Sequence, residues 1–176
     1  TGDTVLCLPG HAENVTTTPT FPAGCRVIGV PAGTATPTFT WSATTSQWAI
    51  STANVFFGGL KLAVCGAVVV KGIVVTGSNV SFVGNEIVQA TGASLKATIL
   101  METDTGADYF LFKDNYIYGT ATHQSDDVLH IKGATSQNRL VGNRAVCSST
   151  AVTKGIFHIA GASLNGLISD IDLYNT

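Results

Sequence analysis

Short alternations of apolar and polar residues fill this chain, and they recur. One phrase joins an apolar alternation to a Gly-Asn pair, or a relative of it, and then to a second alternation. It reads Asn54-Val55-Phe56-Phe57-Gly58-Gly59-Leu60-Lys61-Leu62. It returns as Asn79-Val80-Ser81-Phe82-Val83-Gly84-Asn85-Glu86-Ile87 and as Tyr109-Phe110-Leu111-Phe112-Lys113-Asp114-Asn115-Tyr116-Ile117. Two further copies are Asn138-Arg139-Leu140-Val141-Gly142-Asn143-Arg144-Ala145-Val146 and Gly166-Leu167-Ile168-Ser169-Asp170-Ile171-Asp172-Leu173. Aligning Leu60, Asn85, Asn115, Asn143 and Asp170 gives steps of 25, 30, 28 and 27 residues. A degenerate copy, Cys25-Arg26-Val27-Ile28-Gly29-Val30, lies about one period upstream of Gly58. A second phrase is interleaved with nearly the same period: Val74-Val75-Thr76-Gly77, Leu100-Met101-Glu102-Thr103, His130-Ile131-Lys132-Gly133 and His158-Ile159-Ala160-Gly161.

Two interleaved phrases with one period mean a repeating unit of several strands. No window shows a 3.6-residue apolar stripe with caps, which removes helical repeats. The period is too short for propeller blades, which take about 40 residues or more. It fits an all-β fold, a right-handed parallel β-helix of about five or six coils stacked at the ~4.8 Å strand spacing. Strand alternation then points Val80, Phe82, Ile87, Phe110, Phe112, Ile117, Leu140 and Val146 inward, with Phe82, Phe112 and Leu140 in one apolar stack. Corners between strands need left-handed backbone, which Gly adopts freely and Asn tolerates best among the rest. Asn85, Asn115 and Asn143 fall at equivalent corners, where they serve either as turn residues or as rungs of an amide ladder.

Residues 1–50 read differently from residues 51–176. Pro19, Pro22, Pro31 and Pro37 all precede residue 40, so this third is expected to form irregular capping coils ahead of the regular ones. Trp41 and Trp48 are read as packing in that cap, against the competing reading of a ligand-stacking platform. The last phrase stops in mid-repeat, so the coils are expected to continue beyond residue 176 or to be covered by a partner.

Composition narrows the function. Only 11% of residues are charged, against about 25% in ordinary soluble domains. Thr, Ser, Asn and Gly carry the polar surface instead, which suits β-branched packing and a protein covered by partners. The net charge is −2 and the Lys and Arg residues are scattered, so no nucleic-acid footprint is expected. No stretch approaches the ~20 apolar residues of a membrane helix. Cys7, Cys25, Cys65 and Cys147 form no C-x-x-C pair and are read as buried, reduced apolar fillers.

The opening Gly2-Asp3-Thr4-Val5-Leu6-Cys7-Leu8-Pro9-Gly10 resembles the first strand of pectin-lyase-like β-helices. With His11-Ala12-Glu13-Asn14-Val15, Val27-Ile28-Gly29, Pro37-Thr38-Phe39-Thr40 and Thr52-Ala53-Asn54-Val55, it is similar to a group of uncharacterised bacteriophage proteins. The resemblance covers most of the first 62 residues. It implies a virion component: a capsid decoration, head fibre or vertex protein that binds other virion proteins and copies of itself, with a trimer favoured. The competing reading is a tail-fibre or tailspike segment that binds host glycans, and the remotest is a polysaccharide-cleaving enzyme.

Chemistry is thin at this level. Asp126 and Asp127, followed by His130 and Lys132, resemble the acidic and basic set of polygalacturonases, but no Asn-Thr-Asp or Gly-His-Gly motif accompanies them. Adjacent strand residues point to opposite faces, so this pair is expected in a solvated turn and not in a catalytic centre. Glu102, Asp104 and Asp108 are read as a loose acidic loop that falls short of a calcium cage. His11, His123, His130 and His158 show no metal-ligand spacing. The expectation is therefore no catalytic, cofactor or metal site, and no enzyme.

Overall fold

The computed structural model describes residues 2–64, 69–89, 97–119, 127–147, 155–161 and 163–175. These residues form a parallel β-solenoid of about five turns, all-β, with no helix among them. The first sheet holds β1 (Thr4–Cys7), β3 (Arg26–Gly29), β6 (Phe56–Gly58), β9 (Ser81–Val83), β12 (Leu111–Lys113), β16 (Arg139–Val141) and β20 (Leu167–Ser169). The second holds β2 (Ala12–Val15), β4 (Thr38–Trp41), β7 (Lys61–Val64), β10 (Glu86–Gln89), β13 (Tyr116–Tyr118), β17 (Arg144–Cys147) and β21 (Asp172–Asn175). The third holds β5 (Trp48–Ile50), β8 (Val69–Val75), β11 (Ala97–Thr103), β14 (Asp127–Ile131) and β18 (Gly155–Ile159). A small ladder pairs β15 (Thr135–Ser136) with β19 (Ser163–Leu164).

Parallel register turns the period into columns of like residues. In the first sheet the inward column is Val5, Val27, Phe57, Phe82, Phe112, Leu140 and Ile168. Phe57 and Phe82 stack with centroids 4.8 Å apart, and Phe82 and Phe112 lie 6.5 Å apart. The expected apolar stack is therefore present. In the second sheet Phe39, Leu62, Ile87, Ile117, Ala145 and Leu173 face in. In the third the column is Trp48, Ile73, Met101, Leu129 and Phe157.

Seven of the eight expected inward residues are buried, and Val146 is the correction. Ala145 fills the inward column, whereas Val146 pairs with Tyr118 on the outer face. Period-2 alternation makes a one-residue error a change of face. Asp170 is a second slip of one residue. It has φ 52° and belongs with Gly59, Gly84, Asp114 and Gly142, all left-handed. Ile171 is the true counterpart of the asparagines, because Asn143 O accepts the bond from Asp172 N just as Asn115 O accepts from Arg144 N. The left-handed slot at this corner thus falls on the residue before each asparagine, where Gly84 and Gly142 adopt it without Cβ strain.

The asparagines themselves form a ladder. Asn85 Nδ2 donates to Asn115 Oδ1 at 3.1 Å, and Asn115 Nδ2 donates to Asn143 Oδ1 at 3.0 Å. Each amide also donates to a carbonyl of the preceding turn, Phe57, Phe82 or Phe112. Each oxygen accepts a main-chain N–H, from Leu60, Asn85 or Asn115. A second left-handed row, Asn54, Asn79, Tyr109, Gln137 and Asn165, makes the corner ahead of the first sheet.

Among the first 50 residues, β1 to β5 join the same three sheets in register with the later turns. Trp41 and Trp48 are both buried, 5.1 Å apart, and Trp41 Nε1 donates to Gly72 O. They pack in the core and are not a surface platform. Cys7 and Cys25 are buried free thiols, and burial pushes both above the ordinary thiol range. Cys65 and the Cys147 side chain lie outside the described residues.

Candidate functional site: a histidine–carboxylate column on the third sheet

In β14 the core takes Leu129 and Ile131, so alternation sends His130 to the other face. Register then sets His130 beside Glu102 of β11 and His158 of β18. The column reads Ala49, Val74, Glu102, His130 and His158. Such a face would ordinarily carry solvated side chains. Glu102 is instead 1% exposed and His130 7%.

The contacts form one connected cluster. Lys71 Nζ donates to Glu102 Oε1 at 2.6 Å. Glu102 Oε2 lies 3.3 Å from His130 Nδ1. The His130 and His158 rings stack in parallel, with centroids 4.5 Å apart and 2° between planes. Asp127 Oδ2 lies 3.3 Å from His158 Nδ1 and 3.9 Å from His130 Nδ1. Residues three apart on a flat strand face opposite ways. Asp127 nonetheless lies 3.9 Å from His130, so strict alternation fails along β14, and all five of its residues are buried.

Polar satisfaction in the cluster is incomplete. Neither ring nitrogen of His130 nor Asp127 Oδ1 makes a hydrogen bond, although His130 Nδ1 lies within 3.9 Å of two carboxylates. Buried polar atoms are normally paired, because each orphan costs about 1–3 kcal/mol. At formal charge, two buried carboxylates face one lysine, which leaves an excess negative charge for a proton or a cation to balance.

Several sequence expectations change here. Asp127 is not in a solvated turn; it is 1% exposed within β14. Asp126 and His123 lie outside the described residues. Lys132 leaves the cluster and faces Asp104 at 3.5 Å. Glu102 is part of β11 and not of an acidic loop. Asp104 instead caps the N–H of Thr105, which together with Lys132 holds its carboxyl below the usual range. Asp108 accepts bonds from the Ser136 N–H and hydroxyl. His130 and His158 do share a spacing, one full turn of the solenoid. His11 sits elsewhere, 5.5 Å from the Phe39 ring.

A second polar group lies outside the second sheet. Lys61 Nζ contacts Glu86 Oε1 at 2.8 Å and Tyr118 Oη at 3.0 Å, and the Tyr118 hydroxyl donates to Glu86. Tyr116 stacks on Tyr118 at 5.2 Å, and the Arg144 guanidinium lies over both Tyr116 and Tyr174. No protein-family model matches this chain, and no curated protein matches its sequence.

Proposed function

We propose that this solenoid is a structural component of a bacteriophage particle, a capsid decoration, head fibre or vertex element, and not an enzyme. The observation that carries the reading is the low charge: only 11% of residues are charged, whereas exposed strand edges are usually guarded by Lys and Glu. A surface of Thr, Ser, Asn and Gly with so few charges suits strands that other chains cover. Copies of this chain are the favoured cover, as a three-fold bundle in which side-by-side solenoids close symmetrically.

A second reading, glycan binding by a fibre, draws on Tyr116, Tyr118, Tyr174 and Arg144. Their rings and guanidinium make an outward patch of the kind that stacks on sugars. Sedimentation equilibrium at micromolar concentration, paired with a glycan-array screen, separates the two. The particle reading expects a trimer, no array signal and no release of reducing sugar. A stable monomer with a glycan signal that is lost in Tyr116→Ala overturns it in favour of the second.

A further inference from the structure

We propose that Asp127, His130 and His158 bind one divalent transition-metal ion of the zinc class, beside the buried carboxylate of Glu102. The inference is independent of the particle reading. One donor atom from each of the three residues lies within 4.8 Å of the others. Zinc holds nitrogen and oxygen donors at about 2.0–2.2 Å, so tetrahedral neighbours lie roughly 3.3 Å apart. The His158–Asp127 separation is already 3.3 Å, and His130–Asp127 is 3.9 Å.

The second observation is the orphaned imidazole. His130 is 7% exposed with neither ring nitrogen bonded, and Asp127 Oδ1 is equally unpartnered. Imidazole and carboxylate together suit zinc and its neighbours, whereas magnesium and calcium take all-oxygen sets. A dication also balances the second carboxylate charge that Lys71 leaves uncompensated. Glu102 meets Lys71 through Oε1 and turns Oε2 toward His130 at 3.3 Å. Its contact is with the same Nδ1 that faces Asp127, so Glu102 adds negative charge at the site and does not hold the far ring nitrogen. His158 and Lys71, with side chains 28% and 30% exposed, form the open rim through which an ion enters.

Binding has a structural signature. An imidazole lone pair lies in the ring plane, so two parallel rings cannot both aim at one ion. The 2° stack must open as His130 and His158 rotate toward Asp127. The ion would then clamp two successive turns of the solenoid, since His130 and His158 belong to neighbouring strands.

The test strips the chain with EDTA and titrates it with ZnCl2, by calorimetry and by imidazole NMR. One ion per chain is expected, with resonances of His130 and His158 shifting and that of His11 unmoved. His158→Gln, at the rim, and Asp127→Asn should each weaken binding at least about tenfold. Lys132→Gln, whose lysine faces Asp104, should bind as the wild type does. Absence of saturable one-to-one binding by the wild-type chain overturns the proposal. So does a titration in which the shifted histidines are not His130 and His158. The NMR readout needs no variant, so a substitution that unfolds the chain leaves the test intact.

Discussion

The asparagines between the first two sheets and Glu102 and His130 of the third-sheet column occupy buried places, one rung per turn, with His158 at the column's open rim. Their hydrogen bonding differs. Every asparagine amide finds a carbonyl of the previous turn, and rung bonds to rung at 3.0–3.1 Å. The amide carries donors and an acceptor in one planar group, so identical side chains stacked at the strand spacing satisfy one another. Histidine over histidine cannot do this. Stacked rings point their nitrogens sideways, and in this column both nitrogens of His130 stay unbonded. A repeat therefore satisfies a buried polar column only when the side chain bonds along the stacking axis. Where it bonds across that axis, something other than the repeat has to supply the partner.

Breaking the ladder should have the largest effect. Asn115→Ala removes the middle rung and strands the Asn85 N–H and the Phe82 carbonyl. Two orphaned groups at about 1–3 kcal/mol each give a loss on the order of 3 kcal/mol. Urea denaturation should show the midpoint fall without a change of slope. A loss below about 1 kcal/mol would mean that the ladder only decorates the corner.

The counterpart substitution in the other column should cost little. His130→Phe keeps a flat ring between Glu102 and His158 but removes two nitrogens that make no hydrogen bond, one of which, Nδ1, lies 3.3 Å from Glu102 Oε2. Replacing unsatisfied polar atoms by an apolar group of similar shape is close to neutral or stabilising. In metal-free buffer the variant should stay within about 1 kcal/mol of the wild type, by the same denaturation. A loss matching that of Asn115→Ala would show that His130 already has a bonding partner in solution, and the contrast between the columns would collapse.

Much of this was legible from the chain alone, for a definable reason. Phe82, Phe112 and Leu140 announce their stack because alternation and period agree at those positions. The ladder asparagines were visible as a recurring letter, although spacing could not separate a ladder from a turn. The pattern misleads where the letter changes: Ser169-Asp170-Ile171 lacks the Gly-Asn pair, which pulls the alignment to Asp170, one residue ahead of the true counterpart Ile171, and at Ala145-Val146 the larger apolar residue follows the one that faces in. The histidine column was present as Glu102, His130 and His158, each one turn after the last. It escaped because metal-ligand spacing is normally sought within a strand or helix, whereas a solenoid gathers ligands across turns. Asp127 could not have been added from spacing at all, since it departs from the alternation that places His130.

The smallest expected effect concerns a third polar group, Lys61, Glu86 and Tyr118, which sits at the surface and separates burial from bonding. Burial works to raise the Glu86 carboxyl, but hydrogen bonds from Lys61 and Tyr118 outweigh it and hold the group below its ordinary value of 4.5. The hydrogen bond to Glu86 in turn raises Lys61 above its ordinary 10.5. A carboxylate depressed in the folded state stabilises above its unfolded value, and the contribution disappears as pH falls through the folded one. The lysine contribution runs the other way, present below its unfolded value and lost only in strong alkali. Between these limits the trio is constant, so acid is the informative side. Glu86→Gln should lower the melting temperature at pH 7 by no more than a few degrees, as expected for a pair worth under about 1 kcal/mol. The gap should close as pH falls through the lowered folded value of Glu86, where the wild-type carboxyl takes up its proton and comes to resemble the amide. Melting curves of the two proteins from pH 7 down to about pH 3 provide the check. Parallel curves across that range would show that Glu86 contributes nothing through its charge, and that this surface trio, unlike the buried ladder, is held by packing alone.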